Sequence, residues 1–147
     1  MLYFHFFVHL LIRTYMEQDI NDIAYKIIGC AMKVHSVLGN CFQEIIYQRA
    51  LAIEMSLTGL SFERELTLPI YFRDIKVGFS RVDFIVENVI IVEIKARQEI
   101  QLGFKAQLIS YLESYQIADG LLINFGASSL QFNRLFNNKL INPSDLS

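Results

Sequence analysis

The segments SRVDFIVE (80–87) and NVIIVEIKA (88–96) are dense in β-branched residues and read as two neighbouring strands. They constrain the fold more than any other stretch because three of their charges, Asp83, Glu93 and Lys95, form the array D-x9-E-x-K. In an extended chain residues two apart leave the same face, so Glu93 and Lys95 point together while Val92 and Ile94 enter the opposite layer. Register decides whether Asp83 joins them. A two-residue turn at Glu87-Asn88 sets Asp83 against Val92, whereas a three-residue or bulged connection over 87–89 sets it against Glu93. A one-residue slip would separate the two carboxylates, so the longer connection is predicted.

Two carboxylates beside an ammonium suit hydrolytic chemistry. Asp83 and Glu93 would hold a hard cation, Mg2+ or Mn2+, which takes oxygen ligands and keeps waters; Lys95 would orient or deprotonate the attacking water or steady developing phosphate charge. Each residue also has a plainer role. Asp83 and Lys95 could form a salt bridge, and Glu93 could be an edge-strand charge that blocks aggregation.

At 147 residues, 53% apolar and with seven glycines and two prolines, the chain has the size and composition of one compact domain. A net charge of −2 means that binding to a polyanion must come from a local basic patch. Arg81, two residues before Asp83, is the first candidate for such contact, ahead of Arg97 and Lys105. No helix-turn-helix, zinc-finger or RNA-binding aromatic signature points to sequence-specific readout. Cys30 and Cys41 form neither a CxxC nor a Cys/His cluster, which argues against a disulfide framework or zinc site and for a cytoplasmic setting.

Residues 1–15, MLYFHFFVHLLIRTY, are mostly apolar but shorter than the roughly 20 residues of a membrane-spanning helix. They carry neither the basic start nor the cleavage site of a secretory signal. We read them as a hydrophobic extension with a packing or homo-oligomer role, and residues 16–147 as a single domain.

From Asp19 onward Ile20, Ile23, Ala24, Ile27, Ile28, Ala31, Val34 and Leu38 recur at helical spacing, predicting a helix that ends near Gly39. A second helix is expected over 42–57. A strand over 62–72 interrupted by Pro69, a turn at Arg73-Asp74 and an extended stretch over 75–78 come before the two motif strands. A helix over 100–115, a strand over 120–124, a turn at 125–129 and a strand over 130–135 complete the order ααββββαββ. His35, alone among apolar helix neighbours, reads as a packed boundary histidine.

The D-x9-E-x-K array resembles the PD-(D/E)XK nuclease superfamily, and the resemblance covers most of the chain. It extends to Gln107 and Tyr111, a Q-x3-Y on the following helix as in RecB-like and lambda-exonuclease-like members; four residues apart, they share one helix face. Residues 35–47 (HSVLGNCFQEIIY), together with AQLISYL and GLLINFG, are similar to blocks of the GxxExxY proteins within that superfamily. One position departs: Cys41 stands where the name-giving glycine would be, while Glu44 and Tyr47 match. The resemblance implies an α/β fold with a restriction-endonuclease-like core, a central mixed sheet flanked by helices.

It also implies a metal shell of Asp83, Glu93, Glu44 and the Ile94 backbone carbonyl, with catalysis by Asp83, Glu93, Lys95, Gln107 and Tyr111. Substrate contacts would come from Arg81, Gln107 and Tyr111. The plainer roles are an exposed helix carboxylate for Glu44, a polar surface residue for Gln107 and a core aromatic for Tyr111. The expected function is a Mg2+- or Mn2+-dependent nuclease acting on nucleic acid, DNA ahead of RNA. The alternatives are a non-catalytic nucleic-acid- or protein-binding module that keeps the fold, and a homo-oligomeric interaction protein.

Overall fold

A computed structural model describes residues 1–140. Helix α1 (Leu2–Leu38) and helix α2 (Glu44–Leu57) lead into strands β1 (Phe62–Phe72), β2 (Ile75–Val86) and β3 (Ile90–Lys95). Helix α3 (Leu102–Tyr115), strands β4 (Asp119–Asn124) and β5 (Gln131–Phe136) and a short 3-10 turn (Asn138–Leu140) follow. The sheet order is β1-β2-β3-β4-β5, with β3 and β4 parallel and the remaining neighbours antiparallel. Helix α3 is thus the crossover that a parallel β3–β4 pair requires.

The observed order is ααβββαββ, one strand fewer than the pattern predicts. The stretch over 75–78 and SRVDFIVE are one strand, because Gly78 and Phe79 continue the ladder opposite Ile70 and Pro69. Nor does Pro69 interrupt β1. An edge strand tolerates proline, since its missing N–H can face away from the neighbour.

The start of α1 is a second correction. Its apolar period becomes visible at Asp19, yet the helix runs unbroken from Leu2, and the segment 1–15 is its first part. Nearly every side chain there is exposed, including Phe4, Phe6, Phe7, Leu10 and Leu11. The apolar side chains stay exposed there instead of gathering on a buried face, so no apolar period marks that part in the sequence. Among the described residues no helix is long and apolar enough to cross a membrane. Gly39 ends α1 with φ 72°, a conformation that glycine adopts at little cost.

Each face of the sheet carries a core. On one, Ile27, Ala31 and Val34 of α1 and Tyr47, Leu51 and Met55 of α2 pack against Phe84, Val86, Ile90, Val92, Ile94, Leu121 and Ile123. On the other, Leu108 and Leu112 of α3 cover Val82, Ile91 and Leu122. β3 and β4 are buried on both sides, which explains the near-continuous apolar runs IIVEI and GLLIN. Glu93 is the buried charge within β3; Lys95, at its end, is only half-buried.

Candidate active site

The β2–β3 ladder pairs Val86 with Ile90, Ile85 with Ile91 and Phe84 with Val92, leaving Glu87, Asn88 and Val89 as the three-residue connection predicted from the chemistry. Glu87 and Asn88 take up the turn with φ 50° and 58°. The same count places Asp83 opposite Glu93. There the ladder changes character: the Asp83 N–H donates to Glu93 Oε1 at 3.0 Å, and the Ile94 N–H donates to Asp83 Oδ2 at 2.8 Å. Carboxylates thus take the place of backbone carbonyls where the two strands part.

A local twist makes this possible. Val82 and Phe84 are two residues apart and should share a face, yet Val82 packs under α3 and Phe84 under α1 and α2. The switch falls at Asp83, opposite Glu65, whose φ of 57° is unusual for a non-glycine residue. Asp83 consequently stands where α2 and Glu93 are both within reach.

From α2, Gln48 Nε2 donates to Asp83 Oδ1 at 2.8 Å. Gln48 is 5% exposed, and its Oε1 has no hydrogen-bond partner. Sequence reasoning missed this residue. The signal that could have found it is spacing: Gln48 follows Glu44 by four and lies on the same helix face.

The loop before α2 is fixed by Tyr47. Its ring stacks on Phe125 with centroids 4.7 Å apart, its hydroxyl donates to the Gly39 carbonyl at 2.7 Å, and it accepts the Phe42 N–H at 3.2 Å. Cys41 has no left-handed backbone, so a cysteine is accommodated there without strain. Glu44, the first residue of α2, is exposed; its charge nevertheless contributes to raising the pKa of Glu93.

Glu93 is 6% exposed, and its pKa is raised from 4.5 to about 8. Burial is the largest cause and the Asp83 charge the second, opposed by the Asp83 N–H and by Lys95. Lys95, two residues on, is held from α3. Its Nζ donates to Gln107 Oε1 at 3.4 Å and lies 4.9 Å from the centre of the Phe104 ring. Tyr111, one turn after Gln107, has its hydroxyl pKa raised by burial and then by the Glu93 charge.

Asp83, Glu93, Lys95, Gln107 and Tyr111 therefore belong to one neighbourhood. Arg81 is different: it is exposed and ion-paired with Glu65 at 2.7 Å. His35 is the packed boundary residue, with Nε2 3.0 Å from the Ala127 carbonyl.

The exit of β3 is anchored by Asn124, fully buried, which accepts the Arg97 N–H at 2.9 Å and donates to the Arg97 carbonyl at 2.8 Å. Gly126 packs so closely on this segment that a Cβ would lie 2.3 Å from the Arg97 nitrogen. The loop after Lys95 is thereby held against β4.

Among the described residues no group of three or more His, Cys, Asp or Glu side chains is arranged to hold a metal ion. The donors present suit a cation that retains much of its water. Asp83 and Glu93 are hard oxygen donors, and each carboxylate has about four lone-pair sites, so the hydrogen bonds already made leave others free. A neighbouring cation would also offset the repulsion between the two carboxylates. The unpartnered Gln48 Oε1 beside Asp83 is a further acceptor.

A twisted mixed sheet between helices, with Asp and Glu-x-Lys on adjoining central strands, defines a restriction-endonuclease-like α/β protein. The model of the PD-(D/E)XK nuclease superfamily matches residues 21–135, and the chain belongs to that superfamily. One solved structure, the crystal structure of SSO0001, is similar with a TM-score of 0.53 and 20% identity, covering 63% of this chain and 50% of that one; the likeness concerns the fold. Comparison with curated proteins gives no match.

Proposed function

We propose that the chain hydrolyses phosphodiester bonds of nucleic acid, DNA ahead of RNA, at a site that uses Mg2+ or Mn2+. The observation that carries this reading is the placement of both carboxylates at the parting of β2 and β3, Glu93 Oε1 on the Asp83 N–H and Asp83 Oδ2 on the Ile94 N–H, with Lys95 near enough for its charge to act on Glu93. A divalent cation at this pair would polarise the phosphate and make an attacking water more acidic. Asp83 and Glu93 would ligate it, with the Ile94 carbonyl and Glu44 as further oxygen donors. Glu93, with its pKa near 8, would release its proton as the cation binds.

Lys95 orients the attacking water or neutralises charge developing on the phosphate, and its contacts with Gln107 and Phe104 limit where the ammonium can go. Tyr111 faces the same charge cluster and would donate its hydroxyl to the scissile phosphate. Arg81 would contact a flanking phosphate after leaving Glu65. We place the protein within the GxxExxY group and in the cytoplasm. Residues 1–15, before the family match, are read as an extension that packs against a second copy.

A binding module that keeps the fold without turnover is the competing reading, favoured by the lack of a three-carboxylate cluster among the described residues. Single- and double-stranded DNA and RNA, incubated with the protein in Mg2+, Mn2+ or EDTA and beside Lys95→Ala, separate the two. Cleavage that requires the cation and disappears in the variant supports hydrolysis. Binding without cleavage, unaltered by Asp83→Ala, supports the module. Cleavage that survives both EDTA and Lys95→Ala would sink the proposed mechanism.

A further inference from the structure

Gln48 stands out by what its amide lacks. The side chain is 5% exposed, its Nε2 is committed to Asp83 Oδ1 at 2.8 Å, and its Oε1 is the one buried side-chain oxygen or nitrogen among the described residues with no partner. The orientation of the amide is not arbitrary. Turned over, it would direct Oε1 at the Asp83 carboxylate, lone pair against lone pair, so the end facing Asp83 must be the donor. The acceptor end is then left unsatisfied in a position where methionine would fill similar space without burying a polar atom. Such an atom calls for a hydrogen-bond donor that the polypeptide does not supply.

The position narrows the choice of donor. The two amide ends belong to one rigid group, so Oε1 cannot be far from the carboxylate that Nε2 holds. A cation ligated by only two side chains keeps several waters, and these are strong donors. Groups that bind the ligands and the waters of a cation commonly change its affinity by 10- to 100-fold when removed, on the order of what an outer-sphere partner contributes.

We propose that Gln48 is a positioning residue of the carboxylate site: Nε2 turns Asp83 toward Glu93, and Oε1 accepts a hydrogen bond from a water in the hydration shell of a divalent cation bound there. The inference rests on the cation-dependent reading of the site and adds a residue that the motif does not contain.

The test uses the full chain stripped with EDTA, with Mn2+ as the probe. Binding is followed by calorimetry and by the rise in melting temperature that the cation produces, neither of which requires turnover. Gln48→Met loses the donor to Asp83 along with the unsatisfied oxygen, two changes of opposite sign, so its cation-free melting temperature should stay close to that of wild type, and it should bind Mn2+ about tenfold more weakly or worse. Gln48→Glu should melt lower without cation, because a carboxylate then faces Asp83, and should bind Mn2+ more tightly than wild type. If Gln48→Met fails to fold, Gln48→Glu carries the comparison alone.

Wild-type affinity in the folded variants would overturn the proposal and leave Gln48 as a packing residue or the partner of a resident water. Failure of wild type itself to bind Mn2+ would overturn the cation reading and this inference together. The wild-type titration therefore distinguishes the two failures.

Discussion

Glu93→Gln should make the cation-free protein more stable in alkaline solution. Glu93 is 6% exposed, and its pKa is raised from 4.5 to about 8, first by burial and then by Asp83. The native state therefore holds a proton that the unfolded chain releases. For an acid raised on folding, the contribution to stability is fully present below pH 4.5, declines as pH rises toward 8 and is level above that. At about 1.4 kcal/mol per pH unit, the gap sets a ceiling of roughly 5 kcal/mol on the loss. Relaxation of the site and water entry will lower it.

Glutamine keeps the shape and can still accept the Asp83 N–H, but it has no charge to desolvate. The difference in stability between Glu93→Gln and wild type should thus be near zero at pH 4.5, grow through pH 6 and 7, and level off above pH 8. In a domain of this size that is on the order of 10 °C in melting temperature at pH 9. Thermal unfolding followed by circular dichroism in EDTA, from pH 4.5 to 9, measures it. Carboxylates remote from Glu93 titrate alike in both proteins and drop out of the difference; Asp83 and Glu44, which interact with it, contribute to the size of the effect. A difference curve that is flat with pH, or a variant that melts below wild type at pH 9, would refute the reasoning.

Further expectations concern the loop, the lysine and the entrance to α2. Gly126→Ala forces a methyl to within 2.3 Å of the Arg97 backbone nitrogen, and urea titration should show a loss of about 3 kcal/mol or more. Lys95→Ala should reduce cation-dependent cleavage by roughly 10²- to 10⁴-fold in single-turnover assays, while Gln107→Ala, which only frees the ammonium, should cost about tenfold. Tyr47→Phe keeps the stacking on Phe125 but loses the hydroxyl that joins Gly39 to Phe42; chemical unfolding should register a loss of about 1–2 kcal/mol.

The register of the central hairpin was legible because chemistry and side-chain parity had to agree: only the connection over 87–89 brings Asp83 to Glu93, and Val86 does pair with Ile90. The twist at Asp83 was not legible. It depends on the positive φ of Glu65, a residue on another strand with no glycine to announce it. Alternation alone would give Val82 and Phe84 a common face, and it does not foretell that the Arg81 guanidinium pairs with Glu65. Gln48 escaped notice because an uncharged amide between Tyr47 and Arg49 carries no chemical flag; its role is set by an Asp83 oxygen reached across 35 residues of chain. Helix α1 is readable only from Asp19 because the apolar side chains of its earlier turns stay exposed and gather on no buried face. The pattern separates the extended stretch over 75–78 from the motif strand after it, whereas Gly78 stays paired with Ile70 and the ladder continues.

The replacement of backbone carbonyls by Asp83 and Glu93 at the end of the β2–β3 ladder gives the sheet a seam fastened by side chains. A ligand that draws either carboxylate toward itself must loosen an amide: that of Asp83 if Glu93 moves, that of Ile94 if Asp83 moves. Those two amide protons should exchange with solvent at rates that follow occupancy, making the backbone itself the gauge of what is bound. A side chain lost at either position slackens the joint as well as the chemistry, so a dead variant there says little until its seam has been measured.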